Sequence, residues 1–308
     1  MKVAVVGGAN IDITAKPYAK YIPYDSNPGK ITLTLGGVGR NIAHNLALLG
    51  IDVSFLTAIG GDVYGKKIIE SCDEIGINIE RSNFVIDSSS STYLCVMDEN
   101  GDLMSGFSDM DICHEISPEF IEKNIDFLNS MDAVAFDTNI DEVTIEYLLA
   151  NCTAPMFVDA VSVTKVEKLK NALDKGCYSL FTVKVNVYEA EMLAGIKIGC
   201  MEDIEKAAEI LHSKGIKRVY ITLGPDGVFA SDGETKVNIP SPVKNIVNAT
   251  GAGDSFLAAL VFAASLGFDV EDSAVIGQSA SEITLDSLSA VSESMTKDNL
   301  ISKYEKNK

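Results

Sequence analysis

The chain has 308 residues, 46% hydrophobic and 22% charged, and its 25 Lys and Arg against 44 Asp and Glu leave a formal charge of −19. That length suits one large α/β unit or about two domains, with apolar residues enough for a core that needs no disulfide or metal. Nucleic acid is held mainly by clustered Lys and Arg, and so acidic a surface repels both nucleic acid and anionic lipid, so neither partner is expected.

Residues 3–6 are a short apolar run ending at Gly7-Gly8, the pattern of a buried strand whose carboxyl end opens into a loop. The run is too short for a secretory leader. No segment approaches the roughly 18 apolar residues of a membrane span, so a cytoplasmic protein is expected, with the sequons at Asn151 and Asn248 unmodified. Residues 16–35 are rich in Tyr and Pro, with Ile31, Leu33 and Leu35 alternating against threonines. A helix is predicted over 37–49, where Ile42, Leu46 and Leu49 recur at helical spacing before Gly50. A strand at 53–59 and a helix at 63–75 follow.

Residues 91–97 and 103–107, with Asn100-Gly101 between them, read as a hairpin. Segments of about 14–35 and 90–110 would then form a small antiparallel sheet projecting from the main one, either as plain packing or as a lid over a pocket. Strands at 133–136, 156–158, 180–183 and 218–222 alternate with helices, which implies a mostly parallel sheet covered on both faces. No linker interrupts the chain, so residues 1–308 read as one domain. Residues 292–308 read as a last helix followed by frayed residues. The six cysteines are scattered singly, without zinc spacing, and read as reduced thiols. His44, His114 and His212 fit no catalytic arrangement.

The most informative segment is Asn248-Ala249-Thr250-Gly251-Ala252-Gly253-Asp254, leading into an apolar helix at 257–266. Glycines at a helix start leave backbone N–H groups free and allow close approach, and the macrodipole adds positive potential. The result is an anion cradle with a carboxylate inside it. Asp254 either complements the dipole or acts as a general base, taking a proton from a hydroxyl while the amides steady a transferred phosphoryl group. In this position its pKa is expected to be low.

Gly36-Gly37-Val38-Gly39-Arg40-Asn41 and Thr250-Gly251-Ala252-Gly253-Asp254 resemble the two signatures of the ribokinase-like (PfkB) carbohydrate kinases. The resemblance runs over essentially the whole chain. It implies an α/β fold: a ribokinase-like three-layer sandwich with a mostly parallel central sheet and a small β-sheet lid. It also implies that Asp254 is the catalytic base and that Gly251, Ala252 and Gly253 form the anion hole. Asn10 and Asp12, at the end of the first strand, would hold sugar hydroxyls, a task that suits a carboxylate and an amide, though the same residues could simply cap the loop. Gly37 and Asn41 would lie beside that sugar.

Asn186-Val187-Tyr188-Glu189 resembles the family's N-x-x-E element, in which Glu189 positions Mg²⁺ through water and Asn186 faces the phosphates of ATP. Mg²⁺ keeps several waters, so one Glu suffices. Read without the resemblance, Glu189 is the solvated face of a helix. Thr222, Gly224 and Gly227 resemble the nucleotide loop, although hairpin turns use glycine as readily. Lys184 and Lys165 are phosphate partners or surface lysines.

Within the family, Ser91-Thr92-Tyr93-Leu94, Ser108-Asp109-Met110, Asp137-Thr138-Asn139 and the stretch from Asp159 to Lys165 resemble the pseudouridine kinases. That implies transfer of the γ-phosphoryl group of ATP to the 5′-hydroxyl of pseudouridine. Thr92 and Asn139 would contact the base, and Asp109 would close the lid. Inosine, adenosine, guanosine and ribose are the alternative acceptors, and a non-catalytic nucleoside sensor is the alternative of another class. Asn248 stands where many members place an Asp beside bound K⁺, which leaves only backbone carbonyls for that ion. Ser279 takes the place of an adenine-contacting Asn. In related kinases the apolar lid pairs with its copy, which implies a homodimer.

Overall fold

The computed structural model describes residues 1–243 and 246–308. Strand β1 (Lys2–Val6) is buried after Lys2. It turns at Gly7-Gly8 into β2 (Asn10–Pro17), which pairs with β3 (Gly29–Gly36). Helix α1 (Val38–Leu48) starts from Gly37 at φ 97°, a backbone conformation that glycine adopts without steric cost.

The run expected as one strand at 53–59 is two. β4 (Asp52–Leu56) joins β1, whereas β5 (Ala58–Gly60) leaves the sheet beyond Thr57; after α2 (Val63–Glu74), β6 (Asn83–Val85) pairs with β5. A continuous apolar run cannot reveal that its two halves have different partners. β7 (Ser91–Met97) and β8 (Leu103–Asp109) form the hairpin, and α3 (Pro118–Asn129) follows a 3₁₀ turn.

From there strands and helices alternate: β9 (Ala133–Asp137), α4 (Glu142–Asn151), β10 (Met156–Asp159), α5 (Val163–Lys175), β11 (Leu180–Asn186), α6 (Val187–Ala194), α7 (Met201–Ser213) and β12 (Ile216–Thr222). Two antiparallel strands, β13 (Val228–Ser231) and β14 (Lys236–Ile239), then extend the edge, and α8 (Ala252–Ser265), α9 (Val270–Leu285) and α10 (Lys297–Asn307) close the chain. The tail does not fray: Tyr304 stacks on Phe268 with ring centroids 5.1 Å apart, and Lys308 pairs with Asp272 at 2.7 Å.

The central sheet runs β14-β13-β12-β11-β10-β9-β1-β4 and is parallel from β12 to β4. Both faces are covered. Ala4 and Val6 point into one core, and Val3 and Val5 into the other, so these strands read as continuous apolar runs rather than alternating ones. From the β1/β9 junction the chain builds toward β4 on one side and toward β12 on the other. Such a switch point opens a crevice at the carboxyl ends of the strands.

A second sheet, β3-β2-β7-β8, stands over that end. It is mixed rather than wholly antiparallel, because β7 reaches β2 in parallel through a crossover instead of a hairpin. Asn10 and Asp12 therefore head a lid strand instead of ending β1. Among the described residues no helix is long and apolar enough to cross a membrane. The six cysteines are free, four of them buried.

Candidate active site

The amino terminus of α8 meets the carboxyl ends of the parallel strands. Gly251 caps the helix at φ 83°, and a Cβ there would lie 2.7 Å from the Ala290 carbonyl carbon. Gly251→Ala is expected to cost about 1–3 kcal/mol, the price of a left-handed non-glycine residue, read as a lower urea midpoint at unchanged slope. Gly253 serves a different contact: a Cβ on it would sit 2.7 Å from Lys184 Nζ. Its bare Cα lets that ammonium lie against the first turn of the helix.

Asp254, in that first turn, is only 8% exposed, and its Oδ2 accepts from Asn41 Nδ2 at 2.8 Å. Its carboxyl is pushed up to about 7, by burial first and then by the charge of Asp159, against the Asn41 hydrogen bond and Lys184. The expected low pKa is thus overturned, since loss of hydration outweighs the favourable partners.

Lys184 is no surface lysine. It is 7% exposed and pairs with Asp159 at 2.7 Å. Burial opposes its charge, but Asp159, Glu189 and Asp254 together hold its pKa above the ordinary value. Asp159 is aimed by its other oxygen, which accepts from Val161 N–H at 2.9 Å. Val161 sits at φ 61°, a strained conformation for a β-branched residue that its surroundings must impose. The signal for this pair in the sequence is a lysine set between Val183 and Val185 in β11.

The N-x-x-E spacing makes a capping box. Glu189 N–H donates to Asn186 Oδ1 at 2.9 Å, and Asn186 N–H donates to Glu189 Oε2 at 2.8 Å. Glu189 is buried, so the solvated-face alternative fails; its carboxyl is raised by burial, tempered by Lys184. Thr222 ends β12, and Gly224 and Gly227, both at positive φ, form the turn into β13, with Leu223 N–H donating to Gly227 O at 2.8 Å.

Asn10 Nδ2 donates to Asp12 Oδ1 at 2.5 Å. Both stand close over Gly36, where a Cβ would meet Asp12 Cγ at 2.9 Å and Asn10 Nδ2 at 3.2 Å. Burial raises the Asp12 carboxyl, partly offset by Asn10. Asp137, to which the sequence assigns no role, ties the end of β9 to Gly8 and to the start of α1. Wholly buried, it accepts from Gly8 N–H at 3.0 Å and Gly39 N–H at 2.7 Å with Oδ2, and from Asn139 N–H at 2.8 Å with Oδ1. Asn139 is thereby fixed beside Gly8.

Three expected residues fall elsewhere. Thr92 pairs across the lid with Ile11 and with Asp109, whereas Asn10 and Asp12 pair with Ser91 and Tyr93. Strand parity therefore puts Thr92 and Asp109 on the face opposite Asn10 and Asp12, and Tyr93 and Ser108 occupy the inward positions. Ser279 is fully buried, donating to Val275 O and accepting from Asn307 Nδ2, so it faces α10 instead of a ligand. Two residues on, Ser281 Oγ donates to Ala252 O at 2.9 Å and touches the cradle. Asn248 pins its own loop, donating to Leu288 O and accepting from Thr250 N–H.

The family model described as pfkB family carbohydrate kinase matches residues 1–297. A pseudouridine kinase of Escherichia coli (strain K12) is 35% identical over 285 residues, covering 92% of this chain and 90% of its own. A guanosine-inosine kinase of Exiguobacterium acetylicum is 29% identical, over 84% of this chain and 86% of its own. Among solved structures, a carbohydrate kinase from Agrobacterium tumefaciens superimposes with TM-score 0.86 at 27% identity, covering 99% of this chain and 97% of that one. The switch-point crevice, the glycine cradle and the lid thus sit in a sequence matched over nearly its whole length, and the chain belongs to the pfkB family of carbohydrate kinases.

Proposed function

We infer that the chain transfers the γ-phosphoryl group of ATP to the 5′-hydroxyl of a nucleoside, with pseudouridine the preferred acceptor and Asp254 the general base. The observation that carries this reading is the Asp254 carboxyl, buried at a glycine-rich helix start, held by Asn41 and raised to about 7, where a base works best near neutral pH. Asp254 takes the hydroxyl proton as the acceptor oxygen bonds to the γ-phosphorus; the bond to the bridging β-phosphate oxygen breaks and ADP leaves. The unpaired N–H groups at Ala252 and Gly253, with Lys184 beside them, meet the charge on the phosphoryl oxygens. Asn10 and Asp12, bounded by Gly37 and Asn41, hold the ribose hydroxyls.

Asn186, Thr222, Gly224 and Gly227 line the nucleotide side. Glu189 spends Oε2 on the helix cap and keeps Oε1 for a water of hydrated Mg²⁺, the donor chemistry that ion prefers. When bound, Mg²⁺ neutralises phosphate charge. Residues 1–308 act as one unit, with β2, β3, β7 and β8 as the lid.

An ADP-release assay across pseudouridine, uridine, inosine, guanosine, adenosine and ribose tests the reading, and the highest kcat/KM is expected for pseudouridine. A profile led by inosine or guanosine would favour the second reading, which the Exiguobacterium relative supports. Binding of nucleosides without ADP formation would favour a sensor. The outward lid face exposes Ile31 (70%), Leu33 (45%) and Phe107 (63%), and we propose that a second copy covers it. Phe107→Glu is then expected to turn a sedimenting dimer into a monomer; a monomeric unaltered protein would refute the pairing.

A further inference from the structure

The bend between β10 and α5 is a single tight turn. Ser162 N–H donates to Ala160 O at 2.6 Å, a bond that skips one residue, and that residue is Val161 at φ 61°. A three-residue turn with a positive φ at its centre is the rare, strained form of the γ-turn, and a β-branched residue is poorly suited to it. Thr138, just beyond β9, grips the same carbonyl. It is fully buried; its hydroxyl donates to Ala160 O at 2.6 Å, and its N–H donates to Asp159 O at 3.2 Å. The phosphoryl transfer described above makes no use of this hydroxyl.

The carbonyl of Ala160 and the N–H of Val161 are opposite edges of one planar peptide group. Thr138 holds the first edge. The second donates to Asp159 Oδ1 at 2.9 Å, so the direction of the carbonyl fixes the direction of the N–H, and with it the Asp159 carboxylate. Turning that plane over would carry φ of Val161 from 61° to about −120°, ordinary extended backbone, but it would break the hydroxyl bond, the turn and the hold on Oδ1 together. The other oxygen of Asp159 carries the consequence. Oδ2 pairs with Lys184 Nζ at 2.7 Å, and a Cβ on Gly253 would lie 2.7 Å from that Nζ and 4.0 Å from that oxygen. Both groups therefore lie against the first turn of α8, beside the residue that precedes Asp254.

We propose that Thr138 is a positioning residue: its hydroxyl locks the Ala160–Val161 peptide in the strained turn, so that Asp159 keeps Lys184 at the phosphoryl cradle. The inference rests on the kinase reading above, in which Lys184 meets the phosphoryl oxygens, and adds the device that aims it. Strain of this kind persists only where neighbouring contacts over-determine it. The Thr138 hydroxyl, a buried donor from beyond the neighbouring strand β9, is the contact that the turn cannot supply for itself.

The test measures the KM for ATP, and the KM for the acceptor that leads the ADP-release profile, with circular dichroism to verify folding. The proteins compared are the unaltered chain, Thr138→Val, Thr138→Ser, Val161→Gly, Thr138→Val combined with Val161→Gly, and Lys184→Met. Thr138→Val keeps the shape of the side chain and removes the hydroxyl. Its KM for ATP is expected to rise about 5- to 10-fold, the worth of one hydrogen bond, with the acceptor KM unchanged; Thr138→Ser, which keeps the donor, should recover the unaltered value. Glycine adopts a positive φ without steric cost. Relative to Val161→Gly alone, adding Thr138→Val should therefore raise the KM for ATP by no more than about twofold, a non-additivity expected of groups that share one turn. If Lys184→Met raises the KM for ATP while Thr138→Val leaves it within about twofold, or raises both Michaelis constants alike, the clamp is wrong and the kinase reading survives. An equal rise with Val161 and with Gly at that position overturns the clamp as well. If Lys184→Met leaves the KM for ATP unaltered, Lys184 does not meet the phosphates, and that part of the reading falls with the clamp.

Discussion

Asp254→Asn is expected to lower kcat by about 10²- to 10⁴-fold, the usual contribution of a positioned base, with the KM for ATP little changed. Asn keeps the shape and can still hold Asn41, so the loss reports proton transfer and not a collapsed site. The pH profile carries the same information. Because the folded carboxyl titrates at about 7, kcat/KM should rise with pH through that value and level off above it, and Asp254→Asn should abolish the inflection.

Stability moves the other way. The folded state keeps this proton up to about pH 7, whereas an unfolded Asp releases it near about 4. Between those values the folded state binds more protons, so stability falls as pH rises through the window. At pH 8 Asp254→Asn should therefore be more stable than the unaltered protein, by a few kcal/mol at most, on the order of the pKa shift converted to free energy. A variant that is both active and no more stable at pH 8 would remove Asp254 from its role.

Lys184→Met has the largest expected effect on folding. Lys184 stands against Asp159, with Glu189 and Asp254 close enough to raise its pKa. Removing one partner of a buried pair leaves an uncompensated charge, which costs about 3–5 kcal/mol. Guanidinium unfolding at pH 8 should show that loss. Residual activity should have its inflection shifted to higher pH, since Lys184 is one of the groups holding the Asp254 carboxyl down, and the KM for ATP should rise. Adding Asp159→Asn removes the stranded carboxylate; it should restore part of the stability and none of the ATP affinity, a non-additivity expected of contacting residues. Equal midpoints for Lys184→Met and the unaltered protein would mean that the pair is not buried as described.

Several elements of this molecule are visible in the order of its residues alone. β1 is a short apolar run stopped by Gly7-Gly8, and α8 begins where Gly251 and Gly253 relax the backbone. Asp254 stands out because a glycine-rich helix start is a local event, written within a few neighbouring residues, whereas Asn10, Asp12, Asn41, Asn186 and Glu189 are picked out only by the motifs that resemble the family's. The alternation of strands and helices suffices for a parallel sheet, and with it for a crevice at the strand ends.

What the chain order leaves open depends on side-chain phase and on burial. One residue of parity separates inward Tyr93 from outward Thr92, and a rotation around one helix separates Ser281 from Ser279; a pattern of 2 or 3.6 residues gives a periodicity without saying which side the pocket is on. The division of 53–59 between two sheets likewise waits on which partners arrive.

The electrostatics are more remote still. Asp254, Asp159, Lys184 and Glu189 lie on four separate elements: Lys184 meets Asp159 only when β11 pairs with β10, and the Asp254 carboxyl is raised only when α8 docks beside them. Sequence by itself determined the fold class, the cradle and the candidate base. Only the tertiary structure decided that this base is buried among like charges, because desolvation is a property of the assembled core and of no single segment.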